Sequence, residues 1–432
     1  MIRTRDDWKK LLYVFLTVGM AVMFMGLIQR FVNPEWLLNK NSHRVSATLG
    51  NPIYFSAFGM FMMFMGAYLY TLDKQTGKHK MFSLVASMIG LVGVFLGGSR
   101  GMLLGMLSGL AVLFFLYWSY YRKDKKKQRV FLVVFILGLA MLAGLFANRN
   151  TTFVQNIPAV GRLVNTSFSS ELFGTSTRIM AWGVAVDAWQ EKPLFGWGPN
   201  NFLYAFNKFY RPEFLQHGWI ETWFDNAHKV VVNTLAVQGI VGLLAYLSMF
   251  VAAYILLYRA FKRSHISVHE AAILCAFITA HFVSNIFIFE NPTSYLYFFF
   301  ILAFLQVRCG GESVKHVKST SVSFGVTSAV FAVIALASQN NETLGVIHAL
   351  MRQQPNALDL YKDSSSIPTP HIDDVRADFA RAVSASVGNY VQRGQEELAR
   401  ELLTFAFDEI EKNKDLHPLE IRMHIEQSNM AK

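Results

Sequence analysis

Nine apolar runs, each close to the length that crosses a bilayer as a helix, constrain this chain more than any other feature. A spanning helix needs about 20 consecutive apolar residues. The runs fall at roughly 11–28, 52–71, 81–98, 101–121, 130–148, 230–257, 269–288, 293–308 and 321–338. Lipid offers no partner for backbone N–H and C=O groups, so short of a closed barrel each run must satisfy its own as a helix. The expected fold is therefore all-α, a polytopic membrane helical bundle of about nine transmembrane helices.

The charges sort these runs into a topology. The chain has 432 residues, of which 53% are hydrophobic and only 16% charged, against about 25% charged in a soluble domain. A net charge of +11 would suggest nucleic acid in a soluble protein. Here the positive-inside rule accounts for it, and no nucleic-acid partner is expected. Arg3, Arg5, Lys9 and Lys10 precede the first run, and Lys74, Lys78 and Lys80 follow the second. "RKDKKKQR" (122–129) follows the fourth, Arg259, Lys262 and Arg263 the sixth, and Arg308, Lys315 and Lys318 the eighth. If nine spans alternate, all five groups share one side, which makes that side and the N-terminus cytoplasmic. Segments 29–51, 99–100, 149–229, 289–292 and 339–432 then lie outside. The charged start followed by a long run reads as a first span, not a cleaved signal peptide. Cys275 and Cys309 supply neither a disulfide framework nor a metal-ligand spacing.

Two regions depart from simple spans. The run 230–257 is longer than one crossing needs and contains Asn233, Gln238, Gly239 and Gly242, so a bend or break is expected near Gly239. From about 340 the chain becomes charged and amphipathic. "VRADFARAVSASVGNYVQRGQEELARELLTFAFDEIEKN" reads as two helices joined near Arg393 and Gly394. "DLHPLEIRMHIEQS" begins another, with Pro418 near its first turn. Helix pairs at this spacing resemble tetratricopeptide repeats, with a plain helical cap as the alternative. The division expected is a membrane domain, 1–338, with a large extracytoplasmic loop at 149–229, and a C-terminal helical segment, 339–432.

Four basic groups on the outer segments stand out. Arg100 lies in "GGSRG" between two apolar runs. It could snorkel to the interface, but an arginine so close to the bilayer core is costly and usually has a partner, which favours function. Arg178 opens "RIMAWGVAVDAWQEKPLFGWGPNNF", where Ile179, Trp182, Val186 and Trp189 fall at helical spacing. That pattern fits a short interfacial helix with tryptophans at headgroup level, followed by a sharp turn at Gly196, Gly198 and Pro199. Anchor and site are equally supported. His228, in "DNAHKVVVN", has the near-neutral pKa suited to a general base, with Asp225 and Asn226 close enough to cap the next helix or orient the ring. Arg44 alone reads as a solvated loop charge. His281, Ser284 and Asn285 are polar within the seventh span, and hydrogen bonding between helices is the favoured reading. No Walker loop, GxGxxG, Cys/His metal signature or outer acidic pair is present, so phosphate chemistry here would fall to arginines.

The order of "QRFVN…RVSATLGNPIYFSAF", "GGSRG", "TRIMAWGVAVDAWQEKPLFGWGPNNF" and "DNAHKVVVNTLAVQGIVGL" resembles the O-antigen ligase and polymerase family of bacterial membrane glycosyltransferases. The likeness covers residues 20 to about 305. It implies a multi-pass protein of the bacterial plasma membrane acting in lipopolysaccharide or other polysaccharide biosynthesis. It implies transfer of a glycan from a polyprenyl (undecaprenyl) diphosphate carrier to a glycan, lipid-core or protein acceptor on the outer face. The transfer would be metal-independent, cofactor-free and inverting. On this sequence His228 corresponds to the acceptor-activating histidine and Arg100 and Arg178 to the diphosphate-holding arginines. Arg44, Trp182, Asn226 and Asp225 are the candidates for substrate contact. The family pattern often has His-Asn where this chain has Asp225-Asn226-Ala227-His228, and about four of its amino-terminal spans have no counterpart here, which leaves the orientation unchanged. An O-antigen-type polymerase or protein O-glycosyltransferase is the alternative within the class. A glycolipid transporter, or an inactive fragment binding a protein partner through residues 340–432, is the alternative outside it.

Overall fold

The structure, a computed structural model, describes residues 4–34, 44–72, 77–157, 160–161, 177–217, 223–310, 346–347, 349–350, 352–366 and 372–431. Among them there are helices and no strand. In chain order these are α1 (Arg5–Phe31), α2 (Pro52–Thr71), α3 (Gly77–Leu96), α4 (Arg100–Tyr120), α5 (Lys125–Ala147) and the single turn α6 (Thr152–Gln155). They continue with α7 (Thr177–Glu191), α8 (Phe202–Lys208), α9 (Val230–Lys262), α10 (Val268–Phe287) and α11 (Pro292–Cys309). The tail adds α12 (Ala357–Ser366), α13 (Ile372–Gln392), α14 (Glu396–Leu416) and α15 (Ile421–Met430).

Among the described residues, 8 helices are long and apolar enough to cross a membrane: α1 to α5 and α9 to α11. The ninth run, 321–338, lies outside the described residues. The start signals are local. Thr4 and Ser267 close capping boxes with Asp7 and Glu270, and Asn51 and Asn291 cap helices whose first residue is proline. α2 is the central helix, with 78% of its membrane-length window buried. α5 is the opposite case and buries no residue at all. A long apolar helix that buries no residue, and meets α4 through Phe135 on Phe114 and Phe131 on Tyr117, has lipid as its main surroundings, and the chain is a multi-pass membrane protein.

One seam places the candidate site. α4 carries Gly101, Gly105 and Gly109, and α10 faces it with Ser284, Ala280 and Ala276. A Cβ at Gly105 would sit 2.4 Å from the Ala280 carbonyl oxygen, and one at Gly109 would sit 2.5 Å from that of Ala276. Helices in lipid associate through such close backbone approach, and here it holds Arg100, the first residue of α4, against the C-terminal end of α10. At the other end of the bundle the buried Glu270 acts as a clamp. It accepts from Arg308 Nε and Nη2 (both 2.9 Å), from Tyr68 (3.1 Å) and from Arg5 (3.4 Å), tying together α1, α2, α10 and α11.

The chain divides into two compact units. The first contains the membrane helices and α7. The second joins loop residues Leu203–Trp223 to the tail helices. Within it Tyr361 stacks on Phe379 (3.8 Å between centroids) and donates to Glu409 (2.6 Å). The Arg422 guanidinium lies 3.4 Å over the Trp223 ring, Trp223 donates to Asn207 (3.2 Å), and Tyr204 packs on His417 (5.6 Å). The aromatic groups that hold 203–223 to the tail are scattered and show no period, so the sequence carries no signal of this pairing. The joint near Gly394 appears as a turn (φ 75) between α13 and α14.

Candidate functional site

A break in a membrane helix builds the framework. α9 is interrupted at Gly239 (φ 66, ψ -170), where its length and glycines predict. A break frees backbone donors and acceptors that lipid cannot satisfy. The turn after α7 takes them up. Trp197 and Gly198 N–H donate to the carbonyls of Ala236 and Val237 (3.1 and 2.7 Å), while Ile240 and Val241 N–H donate to those of Pro193 and Leu194 (2.9 and 3.2 Å). Only glycine permits the fit: a Cβ at Gly196 would lie 2.4 Å from the Val237 carbonyl carbon, and one at Gly239 would lie 2.3 Å from that of Leu194. The Trp197 indole donates to the Ala188 carbonyl (2.9 Å) with the Lys192 ammonium 4.1 Å over its ring, which fixes the turn to the end of α7.

α7 is thereby held along α9. It buries Thr177, Ala181, Val184, Ala185 and Ala188, small residues that allow close approach. Ile179 and Val186 on the other face stay exposed, as an interfacial helix would have them. Trp182 is half-buried. Its indole donates to the Ala227 carbonyl (2.9 Å), and the Lys229 ammonium lies 4.5 Å over its ring. Trp182 therefore ties α7 to the loop that carries His228.

The arginines converge. Arg44, Arg100 and Arg178 line one pocket with Ile53, Ser99, Gly101, Leu104, Phe287 and Ile288. Arg44 comes from the loop after α1, where buried Gln29 accepts from the N–H groups of Ser46 (3.2 Å) and Ala47 (2.8 Å). Its Nε donates to the Gly97 carbonyl (3.1 Å). Arg100 opens α4, whose N-cap is Ser99, and Arg178 is in the first turn of α7. Two positive helix N-terminal ends thus join three guanidinium groups. No acidic side chain is among the described lining residues. Such a site attracts anions, and the planar forks of arginine suit phosphate oxygens. The pocket holds about 100 Å³, below the roughly 300–1,000 Å³ of a site that encloses a small molecule.

His228 sits beside this pocket, not in its lining. Its ring is half-buried, edge-on to Phe289 (4.9 Å) and Phe224 (5.6 Å). Phe289 directly follows Ile288 of the pocket wall, and Val230 N–H donates to the Ile288 carbonyl (3.0 Å). His228 adopts a left-handed backbone (φ 51), a conformation more common for Asn, Asp and His than for other non-glycine residues. Asn226 stabilises it, its side-chain oxygen accepting from the His228 N–H (3.0 Å). Neither Asp225 nor Asn226 caps α9, whose N-cap is Lys229 without a side-chain bond. Asp225 is exposed.

His281 and Asn285 stay out of the pocket and form a buried hydrogen-bonded group with Glu290, in line with the structural reading of the sequence. Glu290 itself carried no signal there beyond being an acid in a very short connection. No group of three His, Cys, Asp or Glu side chains that could hold a metal ion occurs among the described residues.

Residues 85–247 match the O-antigen ligase family model. The match runs from α3 into the second half of α9. It includes Arg100, Arg178, Asp225, Asn226 and His228 but not Arg44. No curated protein matches the chain.

Proposed function

We propose, from the O-antigen ligase match over residues 85–247, that this membrane protein is a glycosyltransferase using a polyprenyl diphosphate-linked glycan as donor. The observation that carries the proposal is the pocket of Arg44, Arg100 and Arg178 at two helix N-termini. An acceptor hydroxyl attacks the anomeric carbon and the bond from that carbon to the diphosphate oxygen breaks, with inversion. The acceptor proton passes to His228. The negative charge that builds on the leaving diphosphate is met by fixed guanidinium groups. No step requires a metal ion or a cofactor. The small pocket supports a division in which the protein grips the diphosphate while the prenyl chain stays in lipid and the glycan outside. A transporter with a broken helix would direct the freed backbone groups at its cargo. In α9 four such groups are taken by residues 193–198, which favours the enzyme.

The orientation follows the charge pattern: N-terminus in the cytoplasm, site on the outer face of the bacterial plasma membrane. Loop residues 203–223 and the tail helices share one compact unit, which supports an extracytoplasmic tail. Residues 340–432 are then available to a protein partner or acceptor, in a helical, repeat-like segment. Glycan, lipid-core and protein acceptors are separated by assay.

The test is glycan transfer in membranes lacking their own ligase and polymerase, supplied with lipid-linked donor and each acceptor class. Wild type transfers in excess chelator. Arg178→Ala and Arg100→Ala lose donor affinity. His228→Asn, which keeps a residue tolerant of the left-handed backbone, binds donor and does not transfer. Folded, inserted wild type without transfer to any acceptor refutes the reading.

A further inference from the structure

We propose that Glu290 is a positioning residue for His228, an inference that rests on His228 being the group that takes the acceptor proton. Glu290 lies in the short connection between α10 and α11, and its side chain is 3% exposed. One carboxylate oxygen accepts from the Tyr246 hydroxyl (2.9 Å) and meets His281 Nε2 (3.0 Å); the other accepts from the Ser294 hydroxyl (2.5 Å). These partners belong to α9, α10 and α11, so one carboxylate pins the connection to three helices. His281 is fixed in turn. Its ring stacks on Phe298 at 4.8 Å with 4° between planes.

The residues before Glu290 are the ones that matter to the site. Phe287 and Ile288 line the arginine pocket, and Phe289 makes a T-shaped contact with His228 at 4.9 Å. The pinned carboxylate therefore sets where Phe289 stands, and Phe289 sets where the imidazole stands. A buried carboxylate is a poor way to gain stability, since well-packed apolar residues at such a junction usually do as well or better. Its geometric advantage is direction: three fixed partners hold one backbone position. Displacing a reacting group by about 1 Å can cost on the order of 100-fold in rate, which makes that direction consequential.

The experiment compares Glu290→Ala, Glu290→Gln and Phe289→Leu in the full-length membrane-inserted protein. Two readouts are taken. The first is the rate at which diethyl pyrocarbonate modifies His228, followed by peptide mass spectrometry, with His269 as internal control for unfolding. His269 is held by Tyr117 (2.9 Å) at the other end of the bundle. The second is transfer rate alongside donor affinity. Glu290→Ala should expose His228 at least threefold and lower transfer at least tenfold, with donor affinity changed less than threefold. Glu290→Gln keeps two acceptor bonds and offers a donor to Ser294, and should restore His228 protection to within twofold of wild type. Should Glu290→Ala fail to insert, Phe289→Leu removes the ring directly and must reproduce the exposure. Unchanged His228 modification in Glu290→Ala, or in Phe289→Leu if that variant must serve, overturns the proposal. The modification arm needs no activity. An exposed His228 in the variant together with an inactive wild type would refute the transferase reading while showing that Glu290 fixes the His228 ring.

Discussion

Replacing Gly239 by alanine should damage this protein more than an alanine normally does in a membrane helix. Gly239 holds a backbone conformation (φ 66, ψ -170) that side-chain-bearing residues essentially do not adopt, at a cost of about 1–3 kcal/mol. The added Cβ would fall 2.3 Å from the carbonyl carbon and oxygen of Leu194. Forcing a methyl into a packed site costs about 1–3 kcal/mol more. The sum is about 2–6 kcal/mol, before any loss of the four hydrogen bonds that dock residues 193–198 into the break. The matched control is Gly144→Ala in α5, where the new methyl meets nothing within 4 Å and alanine is the better helix former. Thermal stability in detergent, read as the fraction surviving as a monodisperse peak after heating, separates the two. Gly239→Ala should melt well below wild type and Gly144→Ala at or slightly above it. Equal melting of Gly239→Ala and wild type would mean that the turn does not occupy the helix break, and the framework argued for Arg178 would fall with it.

Three further outcomes are expected. Gly105→Leu, at the α4–α10 seam where a Cβ alone would sit 2.4 Å from the Ala280 carbonyl, should cut the yield of folded protein severely, while Gly138→Leu in open space should not. In the tail unit, burial alone would raise the pKa of Glu409, but Lys412, Tyr361 and Arg376 outweigh it and hold the carboxyl below its ordinary 4.5. That stability is present above the unfolded value and is lost as pH falls through the lowered one, so tail proteolysis should rise in acid and Glu409→Gln should flatten the dependence. A double-mutant cycle on Arg422→Ala and Trp223→Phe, read by denaturation of the tail unit, should return a coupling of about 0.5–2 kcal/mol; no coupling would contradict the stacking.

The helices were legible because lipid leaves a long apolar run few choices, and the interruption at Gly239 because a run of that length with internal glycines has few straight solutions. Arg100 and Arg178 could be singled out by where they sit, charged groups on the side that the topology rule leaves uncharged. Arg44 by itself reads as a solvated loop charge, and nothing in its sequence neighbours displays the bond from its Nε to the Gly97 carbonyl. The docking of 193–198 into α9 escaped detection because it is made by main-chain groups that no side chain announces. The spacing of Trp182 supports anchor and site equally, and it does not display the indole hydrogen bond to Ala227 that ties α7 to the histidine loop. Glu290 was missed for a related reason. Its importance lies in partners on three helices, and nothing in the short "FENP" segment displays them.

The pairing of Leu203–Trp223 with the tail has a consequence for the order of biosynthesis. Trp223 and Arg422 lie about 200 residues apart in the chain. A ribosome completes the loop long before it makes the groups that hold it. During that interval His417 and Arg422, the groups that pack on Tyr204 and Trp223, are still unmade, a condition under which nascent segments are open to proteases and to wrong associations. The segment that leads into the histidine loop therefore matures last, after the membrane helices have been threaded. A chain arrested before α14 and α15 are made should insert normally and still be cut within 203–223.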